Sequence, residues 1–321
     1  MNKMLWGDKP YHSLDYEMKA RFGEKVYKIS LESGMTCPNR DGTLDSRGCI
    51  FCSGKGSGDF AAPLSTSITS QIDAGLEELS ARKNVGKKFI AYFQSFTNTY
   101  APAPVLRPMF EEALRHPKVV MLSIATRPDC LPDDVLALLA ECNRFKPVIV
   151  ELGLQTIHER TAVLIRRGYP LQVYDTAVES LKSLGLEVVT HVIAGLPGET
   201  LDDFLETVFY VGSSGSDGIK IQLLHILKQT DLAILYENGQ CEAMSFEHYI
   251  DAVVRAISIL PEETVIHRLT GDGPKSLLIA PEWSSRKREV LNAIHRELKN
   301  RNIWQGKERT HYIHERSLYD I

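Results

Sequence analysis

A chain of 321 residues that is 43% hydrophobic and 24% charged can bury a sizeable core, as one large domain or two ordinary ones. Its net charge of −4 argues against a uniformly basic nucleic-acid binder. No run approaches the roughly 18 apolar residues of a membrane span, and the opening MNKMLWGDKPYHSLDYEMK lacks the apolar core of a secretory signal. The expected location is cytoplasmic, where thiols stay reduced, so the six cysteines favour a metal or redox role over disulfides.

In chain order, short β-branched runs recur at 25–32 (KVYKISLE), 88–96 (KFIAYFQSF), 118–126 (KVVMLSIAT) and 147–155 (PVIVELGLQ). Three more follow at 186–195 (LEVVTHVIAG), 218–227 (GIKIQLLHIL) and 264–271 (TVIHRLTG). Segments of helical period lie between them. Ile68, Ile72, Leu76 and Leu79 share one face, with Ser65 or Thr66 as the expected N-cap. Val173, Ala177, Val178, Leu181 and Leu184 share another, closed by Gly185. Two later helices are predicted from Phe204, Leu205, Val208 and Phe209, and from Tyr249, Ile250, Val253, Val254 and Ile257.

Strands alternating with helices predict an α/β fold, a parallel sheet of right-handed crossovers one strand short of an eight-fold barrel. The expectation is an incomplete (β/α) barrel of six to seven strands over residues 25–280. An N-terminal extension (1–24) and a C-terminal helix with a basic aromatic tail (281–321) flank it. Function belongs at the C-terminal ends of the strands.

Directly after the first strand stands CPNRDGTLDSRGCIFC (37–52), which places Cys37, Cys49 and Cys52 at a spacing of C-x11-C-x2-C. No fourth cysteine is close by. Zinc in a structural site takes four protein ligands, so His12 or a distant cysteine would have to complete it. Three thiolates also suit a [4Fe–4S] cluster with one iron open to a non-protein ligand. On a barrel loop, that ligand points to S-adenosylmethionine. Cys142 ends an apolar helix face (Val135, Leu138, Leu139) and is expected in the core.

Here the chain resembles the radical SAM superfamily, with a first gap longer than the usual CxxxCxxC. TRPD (126–129), ELGLQT (151–156), RRGY (166–169) and HVIAGLPGET (191–200) resemble the branch related to the catalytic subunit of Elongator. KIQLLHILKQTDLAILYENG (220–239) and HRLTGDGP (267–274) resemble a narrower bacterial group within it, the YhcC/YtqA-type proteins. The resemblance implies an enzyme that reduces its cluster and cleaves S-adenosylmethionine. A 5′-deoxyadenosyl radical then takes a hydrogen atom from the substrate. A low-potential electron donor such as flavodoxin or ferredoxin is implied with it.

Strand alternation puts Glu151 and Gln155 on one side of the fourth strand, where a carboxylate and an amide can hold hydroxyls or an ammonium group. The resemblance assigns both to S-adenosylmethionine; the other reading is a polar layer inside the barrel. It makes Arg167 the clamp for the cofactor carboxylate, with Arg166 as the spare. GLPG, with Gly195 and Pro197, gives a turn that can approach adenine closely. The superfamily's glycine-glycine-glutamate-like turn is missing from YFQSFTNTY (92–100), so Gln94, Ser95 and Thr97 are expected to substitute. Arg127, Asp129, His191, Lys220, Gln222, His225 and Arg268 are candidates to orient the substrate, although a strand histidine is often satisfied within the core.

From Trp283 to Arg316 nine Lys/Arg stand against four Asp/Glu, a local net of +5 that leaves about −9 for the rest. Trp304, His311, Tyr312 and His314 are interleaved with that charge, a mixture that suits phosphate neutralisation with base stacking. A solvated helix followed by a docked tail is the plainer reading. With the Elongator resemblance, the expected substrate is transfer RNA at the C5 side chain of the wobble uridine. No acetyltransferase domain is recognisable, which favours remodelling an existing side chain, for example carboxymethylaminomethyl to aminomethyl. The rivals are a radical SAM oxidative decarboxylase of a porphyrinogen and a non-enzymatic metal-cluster RNA-binding module.

Overall fold

The computed structural model describes residues 4–54, 56, 67–82, 85–271 and 273–317. After α1 (Leu14–Phe22) the first half alternates β1 (Tyr27–Leu31), α2 (Ile68–Arg82), β2 (Phe89–Phe93), α3 (Ala103–Arg115), β3 (Val119–Thr126), α4 (Asp133–Phe145) and β4 (Val148–Gln155). Two helices, α5 (Glu159–Leu164) and α6 (Leu171–Ser183), then lead to β5 (Glu187–Ala194), α7 (Leu201–Val211) and β6 (Gly218–Leu223). The remainder is β7 (Ile226–Leu227), α8 (Asp231–Glu237), α9 (Phe246–Ile259), β8 (Val265–Arg268), β9 (Leu278–Ala280), α10 (Lys287–Asn300) and α11 (Arg309–Ser317).

All seven expected strand runs contribute to one seven-stranded sheet in the order β1-β2-β3-β4-β5-β6-β8. Pairing is parallel for β1 with β2, β2 with β3, β3 with β4, and β6 with β8. Each parallel step needs a crossover, which is why helical segments separate the strands. The run 218–227 splits where sequence reading saw one strand. After Leu223 the backbone turns, and β7 pairs antiparallel with β9 as a small second sheet. Leu223, Leu224, Ile226 and Leu227 are buried on both sides of the bend, and half-buried His225 stands in the joint between the two strands.

Local chemistry explains the helices. Pro102 precedes α3, whose Leu106, Phe110, Ala113 and Leu114 are buried at one-face spacing. Ser67 caps α2 by accepting the Ser70 N–H at 3.2 Å; the expected caps Ser65 and Thr66 lie outside the described residues. α6 ends at Gly185 with φ 71°, as its sequence predicts, but Tyr174 is buried on its inner face while Leu184 is 40% exposed. α7 carries a capping box, Thr200 with Asp203.

The chain divides into two compact units, described separately below. The first, here the cysteine unit, is Met18–Leu154 with Arg166–Val189. Its core includes Leu31, Ile72, Ile90, Phe93, Phe110, Met121 and Leu122, with Phe93 and Phe110 packed edge to face at 5.3 Å. The second, here the C-terminal unit, is Met1–Glu17, Gln155–Ile165 and Thr190–Ile321. Its core includes Phe204, Val208, Ile219, Ile221, Tyr249, Val253, Ile257, Ile294 and Leu298. Cys142 is buried on α4, as expected. Among the described residues no helix is long and apolar enough to cross a membrane.

Candidate functional site

The long gap between Cys37 and Cys49 folds back on itself. Arg40 N–H donates to Cys37 O at 2.8 Å, Leu44 N–H to Pro38 O at 2.8 Å, and Gly48 N–H to Asn39 O at 2.7 Å. Asp45 Oδ1 accepts the Ser46 and Arg47 N–H groups at 2.7 and 3.0 Å. Residues 40–47 are therefore an excursion whose two ends meet. Across that closure the chain reads Cys37-Pro38-Asn39 then Gly48-Cys49-Ile50-Phe51-Cys52, the CxxxCxxC spacing.

Arg40 returns from the excursion to hold the far end of the motif. Its Nη2 donates to Cys52 O at 3.1 Å and Ser53 O at 2.6 Å. The close approach requires Gly48, where φ is 77° and a Cβ would lie 2.9 Å from Arg40 Nε. Beyond, Phe96 N–H donates to Gly56 O at 2.9 Å, and a Cβ on Gly56 would overlap the Phe96 ring. Phe96 takes φ 53°, a conformation non-glycine residues adopt rarely.

The three thiols are half-buried. Cys49 is pulled down to about 7, chiefly by a hydrogen bond with Cys52 and further by Asn39 and the Arg127 and Arg40 guanidiniums, against the opposing effect of burial. Cys52 is raised well above the ordinary thiol value by that same hydrogen bond, by burial and by the Cys49 charge. Within the Cys49–Cys52 pair, Cys49 thus holds the thiolate, the state a metal ligand needs. Among the described residues no three His, Cys, Asp or Glu side chains gather as a single metal ion requires. His12 instead pairs with Glu17 at 2.9 Å and stacks on Trp6.

Around the motif, Arg127 forks onto Asp129 at 2.9 and 2.7 Å, so these two substrate candidates pair with each other. The Arg127 and Arg167 guanidiniums lie 5.1 and 4.8 Å from the Tyr169 ring centre. Tyr169 O–H donates to Gly153 O. Arg167 is 2% exposed and donates Nε–H to Tyr169 O at 2.9 Å. Arg166, with φ 58°, directs Nη1 to Gly48 O at 3.3 Å and lies 3.9 Å from Asp45. The two neighbouring arginines therefore do different work.

Deeper in the same unit, Glu151 is fully buried. Lys28 Nζ and Ser123 Oγ donate to its Oε1 at 2.5 and 2.7 Å, and Lys28 sits 4.5 Å from the Tyr92 ring centre. Gln94 Oε1 accepts from Ser30 Oγ at 3.1 Å. Ser95 is completely buried and its Oγ has no partner. Thr97 N–H donates to Thr36 O at 3.2 Å.

In the C-terminal unit, Gln155 ends β4 with φ 71°, and its buried Oε1 has no partner. The left-handed turn breaks the alternation that put it in phase with Glu151. Gln222 Nε2 donates to His191 Nδ1 at 3.3 Å across β5 and β6. Lys220 is 3% exposed and stands in register with Arg268. His225 lies 3.1 Å from Ser284 Oγ, and a Cβ on Gly271 would overlap its ring. Gly195 and Gly198 take φ 85° and 78°, with half-buried Pro197 between them, and the turn leads into α7.

The tail departs from a base-stacking platform. Trp304 is buried, and Tyr312 packs against Phe209 at 5.1 Å. Arg309 donates to Ile259 O and Ser213 Oγ, both at 2.9 Å, and lies 4.8 Å from the Phe209 ring centre. These residues are spent on docking, the plainer of the two readings. Exposed cations remain on α10: Lys287, Arg288, Arg296 and Lys299.

Lys28, Asn39, Arg40 and Tyr169 were not singled out in the sequence. Only the alternating polar pair Lys28 and Ser30 on β1 could have flagged one of them.

A parallel sheet fed by crossovers, with three thiols in closed CxxxCxxC spacing after its first strand, defines a class. The radical SAM superfamily matches residues 37–211, more than half of the chain, and the Radical_SAM C-terminal domain matches 216–300. The chain belongs to the radical SAM superfamily; it is an enzyme whose cofactors are a [4Fe–4S] cluster and S-adenosylmethionine. Within that superfamily it is 48% identical to the protein YtqA of Bacillus subtilis over 300 residues, covering 94% of this chain and 93% of YtqA. It is 27% identical to the tRNA uridine(34) acetyltransferase of Methanocaldococcus infernus over 172 residues, 52% of this chain and 31% of that protein. Among solved structures, the archaeal Methanocaldococcus infernus Elp3 with an N-terminal deletion superposes with a TM-score of 0.67 at 16% identity, over 87% of this chain and 64% of that one. That likeness shows the fold, the incomplete barrel expected from the strand count.

The residues present fit these cofactors. Three thiols in this spacing suit a cluster with one open iron. In the cysteine unit, buried Ser95 Oγ, without a partner just beyond β2, has the character of a group that meets a bound molecule.

Proposed function

We propose that this enzyme modifies transfer RNA at the C5 side chain of the wobble uridine. The observation that supports the reading is the similarity to the tRNA uridine(34) acetyltransferase over about half of this chain. The cluster and S-adenosylmethionine together supply a radical able to take a hydrogen atom, and the protein's own contribution is binding and orientation. Cys37, Cys49 and Cys52 hold the cluster. In the cysteine unit Arg167, buried and anchored on Tyr169, clamps the carboxylate of S-adenosylmethionine, and Ser95 and Gln94 offer polar contacts; the family resemblance assigns Gln155 and the Gly195–Gly198 turn to the same cofactor. Glu151, which accepts from Lys28 and Ser123, acts as a buried support in the cysteine unit. His191, held by Gln222, together with Lys220 and His225, orients the uridine in the C-terminal unit. A flavodoxin or ferredoxin supplies the electron.

Mass spectrometry of tRNA nucleosides from cells lacking the protein tests this. Loss of one C5-modified uridine, with its precursor accumulating, is the expected outcome. An unchanged uridine profile overturns the tRNA assignment and turns the search to a small-molecule substrate.

A further inference from the structure

Asn39 is 1% exposed and joins two parts of the cysteine unit. Its Nδ2 lies 2.6 Å from Arg166 O, 3.5 Å from Arg167 O and 3.4 Å from Cys49 Sγ. The orientation of the amide is fixed by those neighbours, because exchanging Nδ2 and Oδ1 would set an oxygen against two backbone carbonyls. On its other side Gly168, with φ 84°, allows the approach: a Cβ there would lie 2.8 Å from Asn39 Oδ1. Cys49 Sγ also lies 3.5 Å from Arg166 O. A carbonyl can accept from a thiol but has nothing to donate to a thiolate. Once Cys49 is a ligand, the amide of Asn39 is the donor on its sulfur.

We infer that Asn39 tunes and positions the cluster: its N–H, locked by Arg166 O, donates to the Cys49 thiolate and raises the reduction potential. The inference rests on the reading that Cys37, Cys49 and Cys52 hold a [4Fe–4S] cluster. A donor on a ligand sulfur withdraws electron density, which favours the more negative reduced state. The same amide carries the turn of Arg166 and Gly168, so a shift of that turn is transmitted to the Cys49 sulfur. Asn39 touches a ligand atom and acts through it, as a positioning residue.

The test uses reconstituted holoprotein, with iron counted first. An EPR-monitored redox titration compares the wild type with Asn39→Asp, which keeps the shape but replaces the donor by an anion. At a given potential the ratio of oxidised to reduced cluster should rise at least tenfold, about 59 mV for one electron. In a second measurement the wild type is labelled with nitrogen-15 asparagine and its reduced cluster examined by pulsed EPR. A nitrogen-15 coupling that vanishes in Asn39→Asp is expected. If the variant takes up no iron, the coupling in the wild type decides alone. Equal potentials, or a loaded wild type without that coupling, overturn the inference while leaving the cluster reading intact. A wild type that binds no cluster overturns both.

Discussion

Lys28 and Glu151 form an ion pair whose acidic partner has no exposure to water and whose basic partner is 18% exposed. Removing one member of such a pair leaves an uncompensated buried charge, and costs about 3–5 kcal/mol. Lys28→Met should therefore lower the unfolding free energy in urea by about that amount. Adding Glu151→Gln should restore more than half of the loss, since the stranded carboxylate is then neutral. An unchanged midpoint for Lys28→Met would show that the pair contributes nothing. At this scale the sequence was legible where chemistry is written in residue type: the C-x11-C-x2-C spacing drew Cys37, Cys49 and Cys52 together as candidates, and the fold closes them to CxxxCxxC. Asn39 and Lys28 did not stand out in the same way. A buried asparagine and a surface one look alike until the carbonyls of a turn some 127 residues away come to meet it. Charge counting alone does not separate Arg309 from the other cations of 283–316, yet its partners are Ile259 O, Ser213 and Phe209.

The element that decides the site is the excursion at 40–47. Because Asn39 O and Gly48 N–H close its base, deleting Arg40–Arg47 and joining Asn39 to Gly48 leaves CxxxCxxC in covalent form. That variant should still reconstitute about four irons per chain and still cleave S-adenosylmethionine under reduction. It should lose its cluster faster than the wild type, because the bonds from Arg40 to Cys52 O and Ser53 O are gone. Complete failure to bind iron, in a variant that melts as the wild type does, would make the excursion part of the ligand geometry itself. The strand and helix elements were mostly readable because alternation and helical period are local signals. The split of β6 from β7 was not, since apolar residues continue on both sides of the bend and a single His225 in the joint reads like any strand histidine.

For the whole molecule, the alternation of seven strand runs with helices was sufficient to give the incomplete barrel; what it could not supply was the surface. The basic C-terminal region divides in three dimensions into docked residues and an open face. At about 100° per residue, Arg288, Arg296 and Lys299 fall within about 80° of one another around α10, and all three are exposed. If this face grips tRNA, each phosphate contact contributes about 0.9 to the salt slope. Filter binding of tRNA across a salt series should show the triple variant Arg288→Gln, Arg296→Gln, Lys299→Gln with a slope flatter by about 2–3 units. Arg309→Ala should instead lower thermal stability and leave the slope unchanged. Equal slopes for the wild type and the triple variant would remove α10 from the binding surface.

A loop whose ends are already fastened together is also a socket. The exposed tip at Asp41–Leu44 can take a longer peptide at an entropic cost of only about 0.6 kcal/mol per doubling of length. The chain on either side is pinned by Asn39, Gly48 and Arg40. A spin label or a short affinity epitope grafted there would sit on the same loop as Cys37 and Cys49 and report on their neighbourhood. Chains that differ in the length of this segment can in the same way exchange outward-facing surface while the three thiols keep their places.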